Sequence, residues 1–231
     1  MKKFDNELAE VTKRLLEMGQ LTIEMVDLAV SAVKDRAHNM RDRVALLETR
    51  LDNMQTDIDR TAIRMLTVYG PVAHDLRYVL VVNHITAQME RIGDQVVNVC
   101  DSLELMRSPP EHGTLPMLPK MAELTREMVR DSLDSYFSND TEKAEVTRTH
   151  DDLVDALNHQ VSQKLLSDEV LRGMLTGTAD IADAVAQILI ARHWERIADQ
   201  AVNICKEVIY MVHGDDVRHR PSGRSLEQPG S

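Results

Sequence analysis

The sequence is short of aromatics, cysteine, positive charge and long apolar runs, and each shortage excludes something. Aromatics make up 3% of the 231 residues while apolar residues reach 43%. Leu, Val, Ala, Ile and Met must then fill the core, as helix packing allows, and 231 residues suffice for one large domain or two small ones. Two cysteines, Cys100 and Cys205, make no disulfide framework. The longest notable apolar run, YVLVV, ends at Asn83 and His84, far short of the ~20 residues of a membrane span. The opening MKKFDNELAE lacks the apolar stretch of a secretory leader, so the expected location is the cytoplasm. Acidic residues outnumber basic ones 38 to 27, a net charge of −11. That balance disfavours nucleic acid and anionic membrane faces and favours cations or basic protein surfaces. The chain has no Gly-rich phosphate loop, nucleophile elbow or Cys/His zinc pattern, and no Glu-x-x-His of the ferritin-like oxidases.

What is present is helical periodicity. Leu8, Val11, Leu15, Met18, Thr22, Met25, Ala29 and Ala32 recur in alternating steps of three and four, and Val44, Leu47, Leu51, Met54, Ile58, Thr61, Met65 and Val68 do the same. Gly70-Pro71 ends the second helix, and a third is expected from about His74 to Met106. Three more are expected over residues 120–137, 141–171 and 180–213, with RGMLTGT (172–178) separating the last two. The fold expected is all-α, two tandem three-helix bundles related by a pseudo-twofold axis. Residues 1–107 form the first repeat, the Pro-rich stretch 108–119 a linker, 120–214 the second repeat, and 215–231 a polar, disordered tail.

The duplication shows directly. Residues 90–100 read ERIGDQVVNVC and 195–205 read ERIADQAVNIC, eight of eleven identical at an offset of 105. Cys100 and Cys205 are equivalent under it, and both are expected as small buried core residues. The thirteen methionines are read as core filler.

Acidic pairs recur at helical spacing. Glu90, Asp94, Asn98 and Asp101 share one face of the third helix, and Glu195, Asp199 and Asn203 share the matching face of the last. Glu48 and Asp52 form a pair four apart in the second helix, as do Asp151 and Asp155 in the fifth. Asp52 and Glu90 stand equally far from Pro71, and Asp155 and Glu195 equally far from Leu175. Antiparallel hairpins therefore bring the pairs level, ~28 Å from the first turn at ~1.5 Å rise per residue. Four carboxylates at one level need cations, raised pKa values or splayed side chains. All-oxygen sets suit hard or borderline cations, and Asn98 and Asn203 could add ligands. The bland alternative is a pair of solvated acidic faces. Arg91 and Arg196 point ~100° away in helical projection and neutralise poorly.

These residues resemble the PhoU family of phosphate-uptake regulators along nearly the whole chain. The signatures are Pro71-x-x-x-Asp75-Leu76-Arg77, Glu90-Arg91-Ile92-Gly93-Asp94, Glu195-Arg196-Ile197-Ala198-Asp199 with Asn203-Ile204-Cys205, and the terminal Gly214 to His219. Ala198 departs from the family's usual glycine, and Glu48 from its common aspartate. The resemblance implies iron or zinc clusters on Glu48, Asp52, Glu90, Asp94, Asp151, Asp155, Glu195 and Asp199. It implies a non-enzymatic, peripheral cytoplasmic adaptor, often a homodimer. Its partners would be the ATPase of the phosphate ABC transporter and the phosphate-sensing histidine kinase. In that role it restrains phosphate uptake and keeps the starvation response off. A helical metal storage or redox protein is the alternative, and a purely structural adaptor a third.

Overall fold

A computed structural model describes residues 2–35, 40–106, 114–177 (the side chain of Glu169 excepted) and 180–214. Among them are eight helices and no strand: α1 (Lys2–Asp35), α2 (Arg41–Tyr69), α3 (Ala73–Glu104), α4 (Met117–Ser138), α5 (Thr141–Thr149), α6 (Asp151–Leu165), α7 (Asp168–Thr176) and α8 (Ile181–His213). The repeated three-helix plan holds, with α1, α2 and α3 answered by α4, the α5–α6 pair and α8.

Each boundary has a local cause. Gly70 caps α2 in the left-handed region, its N–H bonded to Leu66 O, and Gly214 caps α8 the same way onto Tyr210 O. Asp140 Oδ1 accepts from Lys143 N at the start of α5, and Asp180 Oδ1 from Ala182 N at the start of α8. Helix α4 begins three residues before the expected Lys120, with Pro116 at its cap. Pro119 lies in its first turn, where a missing N–H costs nothing. Ala73 opens α3 at φ 49°, a conformation that strains any residue with a Cβ.

The fifth helix, expected unbroken over 141–171, is interrupted twice. At His150 the backbone tightens, with His150 N bonded to Thr147 O. At Ser167 it turns extended (ψ 151°) before the short α7. The expected separator at 172–178 is therefore helical as far as Thr176. The tail expected over 215–231 and the first half of the linker, 108–113, lie outside the described residues.

One hydrophobic core runs through both repeats. Ile92, Val96, Val99 and Leu103 of α3 are buried, as are Ile197, Ala201, Ile204 and Val208 of α8. The repeats meet through two antiparallel pairs. Along α1 and α4, Asp27 pairs with Arg130 and Lys34 with Glu123. Along α3 and α8, His84 meets Glu207, Gln88 meets Asn203 and Gln95 meets His193. This register sets Gly93 and Ala198, equivalent in the two repeats, level with each other at the pseudo-twofold axis.

Both cysteines are buried free thiols, as their equivalence led us to expect. Burial pushes Cys100 up to about 11 and Cys205 up to about 12. Neither is a ready nucleophile or metal ligand at neutral pH.

Candidate metal centres and the seam between the repeats

Helices α2 and α3 form the first hairpin, and its register is fixed independently of the acids. Arg41 at the start of α2 bonds Asp101 near the end of α3 at 2.6 Å. Counting inward from that bond sets Glu48 beside Asp94 and Asp52 beside Glu90. The approach of the two helices is close because residue 93 is glycine: a Cβ there would stand 2.6 Å from Leu51 Cδ2.

The four carboxylates of this hairpin act on one another. Partial burial raises the Glu48 pKa, followed by repulsion from Asp52, a hydrogen bond with it, and Asp94. Glu90 is raised by burial, then by Asp94 and Asp52, with Arg91 opposing weakly. Asp94 is raised by burial and then by Asp52. The group is half-buried in the outer groove between the helices, near the surface as expected.

The second repeat repeats the arrangement on α6 and α8. Asp151 is pushed up to about 6, by burial first and then by Asp155 and Asp199, with Lys206 opposing. Burial, Asp155 and Asp199 raise Glu195, against Arg192 and Arg196. Asp199 is raised by burial and Asp155, against Lys206 and Arg196. All eight carboxylates singled out in the sequence therefore gather into two groups of four.

The two asparagines are less closely involved. Asn203 turns its amide across the seam, with Nδ2 donating to Gln88 Oε1 at 3.4 Å. Asn98 is half-buried in the equivalent place, and its backbone carbonyl accepts from Ser102 Oγ.

Three features escaped the sequence reading. Asn158 Nδ2 donates to Glu195 Oε2 at 2.6 Å, so a neutral donor joins the second group. Its only sequence signal is its place one turn after Asp155. Asp59 stands two turns after Asp52 on the same stripe of α2, and burial alone raises it. The polar seam of Gln88, Gln95, His193 and Asn203 also went unread, since it depends on the register of α3 against α8.

The donor set fits hard or borderline cations. Carboxylates held close enough to raise one another's pKa are stabilised by any cation that enters, and no histidine joins either group. His193 is committed to Gln95 at 2.9 Å, and burial and then Arg196 and Arg192 lower its pKa. Among the described residues, no three His, Cys, Asp or Glu side chains are arranged so that they could hold a metal ion. Splaying is what mutual repulsion dictates for bare carboxylates.

Comparison with known proteins agrees with the geometry. The model of the PhoU domain matches twice, over residues 15–103 and 118–208. The chain is 32% identical over 167 residues to the phosphate-specific transport system accessory protein PhoU homolog of Aquifex aeolicus, covering 72% of this chain and 73% of that one. To the protein of the same description from Xylella fastidiosa strain 9a5c it is 30% identical over 218 residues, 94% of this chain and 89% of that one. Its fold is similar to the crystal structure of PhoU from Pseudomonas aeruginosa, with TM-score 0.81, 29% identity, and coverage of 92% and 100%.

Proposed function

The chain belongs to the PhoU family, and on that premise we propose that it is a cation-dependent accessory of phosphate transport that restrains uptake and holds the phosphate-starvation response off. The observation carrying this reading is the pair of four-carboxylate groups, one per repeat, in which burial first and the neighbouring carboxylates second raise the pKa values of Glu48, Glu90, Asp94, Asp151, Glu195 and Asp199. Such groups store unfavourable charge that a cation relieves, so cation loading and the shape of the hairpins are linked. Glu48, Asp52, Glu90 and Asp94 would hold one cluster, and Asp151, Asp155, Glu195 and Asp199 the other, with iron or zinc the first candidates. A bound cation would supply positive charge that neutralises the carboxylates.

The role is that of an adaptor rather than an enzyme. Its partners in this reading are the transporter's ATPase and the phosphate-sensing histidine kinase, and it works at the inner membrane face, as a homodimer. No helix among the described residues is long and apolar enough to cross a membrane, so attachment there would run through partners.

The test joins chemistry to phenotype. Elemental mass spectrometry on protein purified without chelator should find several metal atoms per chain, lost when Glu90, Asp94, Glu195 and Asp199 are all changed to Ala. Deleting the gene should derepress phosphate-starvation genes in high phosphate, and the quadruple variant should fail to restore repression. Metal-free wild-type protein that still represses would remove the cation from the mechanism. Ferroxidase turnover in the loaded protein would favour the storage or redox alternative.

A further inference from the structure

Two arginines stand between the acidic groups. Arg91 and Arg196 occupy equivalent places in the repeated motif, and both are exposed. Neither guanidinium makes a hydrogen bond or ion pair among the described residues, although each directly follows a glutamate. Among the described residues most arginines find an acid partner, as Arg41, Arg43, Arg64, Arg126 and Arg130 do.

Their location follows from the seam. Arg91 lies between Gln88, one turn back, and Gln95, one turn on, and these two reach Asn203 and His193 of α8. Arg196 lies one turn after His193 and two turns before Asn203, on the matching stripe of α8. Both arginines therefore sit beside the α3–α8 groove, on the stripe between it and the carboxylates. The antiparallel register sets them about four residues apart along the groove, close to the pseudo-twofold axis. With ~1.5 Å rise per residue and helix axes ~8–10 Å apart, their Cα atoms are ~10 Å apart, within reach of one small ion between them. Gln95 and Gln200 add amide groups on the same face.

We propose that Arg91 and Arg196 form a clamp across the pseudo-twofold axis for a phosphate-type dianion. A guanidinium fork matches two oxygens of a tetrahedral anion, and two forks facing across an axis match all four. The flanking carboxylates oppose an anion while they are bare. Cations in the two acidic groups remove that opposition, so anion and cation strengthen one another's binding. This coupling rests on the cation reading above, whereas the clamp itself does not.

Equilibrium dialysis with radiolabelled inorganic phosphate tests it, on the full chain stripped of metal and again loaded with Mn²⁺, with metal content measured in each sample. Wild-type protein should bind phosphate more tightly when loaded. Arg91→Gln with Arg196→Gln should weaken binding at least tenfold at unchanged metal content, while Arg172→Gln, at another exposed arginine whose guanidinium has no partner among the described residues, should leave it alone. Binding equal with and without Mn²⁺ would keep the clamp and remove the cation reading. Phenyl phosphate, standing for a phosphorylated side chain, distinguishes the source: tighter binding than inorganic phosphate assigns the clamp to a phosphorylated partner, and weaker binding to the free ion. No phosphate binding in either condition, or binding undiminished in the double variant, overturns the proposal.

Discussion

Gly93 is where the position of the first acidic group is set, and substituting it tests the packing argument directly. It lies in the interior of α3 and is buried, its backbone helical. Judged by helix propensity alone, Gly93→Ala should stabilise the protein by about 1 kcal/mol. The structure predicts the opposite sign. The new Cβ would stand 2.6 Å from Leu51 Cδ2 and 3.5 Å from Met25 Cε. Leu51 is fully buried, so relieving that contact should cost ~1–3 kcal/mol. The net effect is a loss of up to ~2 kcal/mol. Leu51→Val alone removes one buried methylene, a loss of about 1 kcal/mol. Together the two changes should come close to wild type, because the shortened side chain makes room for the Cβ. The second repeat already carries that combination. Ala198 replaces the glycine, and Val154, placed in α6 as Leu51 is in α2, replaces the leucine. Urea denaturation followed by circular dichroism gives the three stabilities and a coupling of ~1–3 kcal/mol. Effects that add to within ~0.5 kcal/mol, or a Gly93→Ala protein more stable than wild type, would refute this account.

Two further outcomes follow from the same structure. Asp151 is raised from 3.8 to about 6 in the fold, so its contribution to stability is full below pH 3.8 and is lost as pH rises through 6. Metal-free wild-type protein should therefore gain stability between pH 7 and pH 4. Asp151→Asn should be the more stable protein at pH 7, by about 1 kcal/mol after discounting the shift for solvent screening, with the advantage gone below about pH 4. Urea midpoints of both proteins measured across that range check it, and parallel curves would mean that the carboxyl is not held in the repulsive group. Ala73→Gly should raise the thermal midpoint, because residue 73 sits at φ 49° and relief of left-handed strain is worth ~1 kcal/mol. A lower midpoint would show that the strain is not there to be relieved.

How much of this was legible in the sequence depended on whether a feature is local. Helices α1 and α2 were readable because their apolar residues keep one stripe for some thirty residues. The meeting of Glu48 and Asp52 with Glu90 and Asp94 was readable because a hairpin with a short turn has one register, so counting from Pro71 sufficed. The same counting, centred on Leu175, worked for Asp155 and Glu195 although α7 intervenes. The breaks in the fifth helix were hidden for a physical reason. Val161, Leu165 and Leu166 carry the apolar spacing into Ser167, and neither glycine nor proline marks the turn there. The seam of Gln88, Gln95, His193 and Asn203 was out of reach on other grounds. Its register comes from burying one core across two repeats far apart in the chain, and no local pattern encodes that.

The repeats share their acids but not their surroundings, and the difference bears on how the two sites would fill. Under the offset of 105, Lys206 takes the place of Asp101. Asp101 is already engaged by Arg41 at 2.6 Å, at the far end of the α2–α3 groove, and that pair fixes the hairpin register. Lys206 instead opposes the rise of both Asp151 and Asp199, so the second group carries part of its own neutralisation. Asn158 adds a neutral donor to Glu195 in the same group. The first group has no cation comparable to Lys206, only the Thr49 hydrogen bond to Glu48 and the weak effect of Arg91 on Glu90. A cation offered to both therefore finds the first group less neutralised, and at the second it must displace or share with an ammonium already present. Duplication supplied two copies of one acidic set. Substitution around them then separated the copies, so that graded cation levels would load the hairpins in order rather than together.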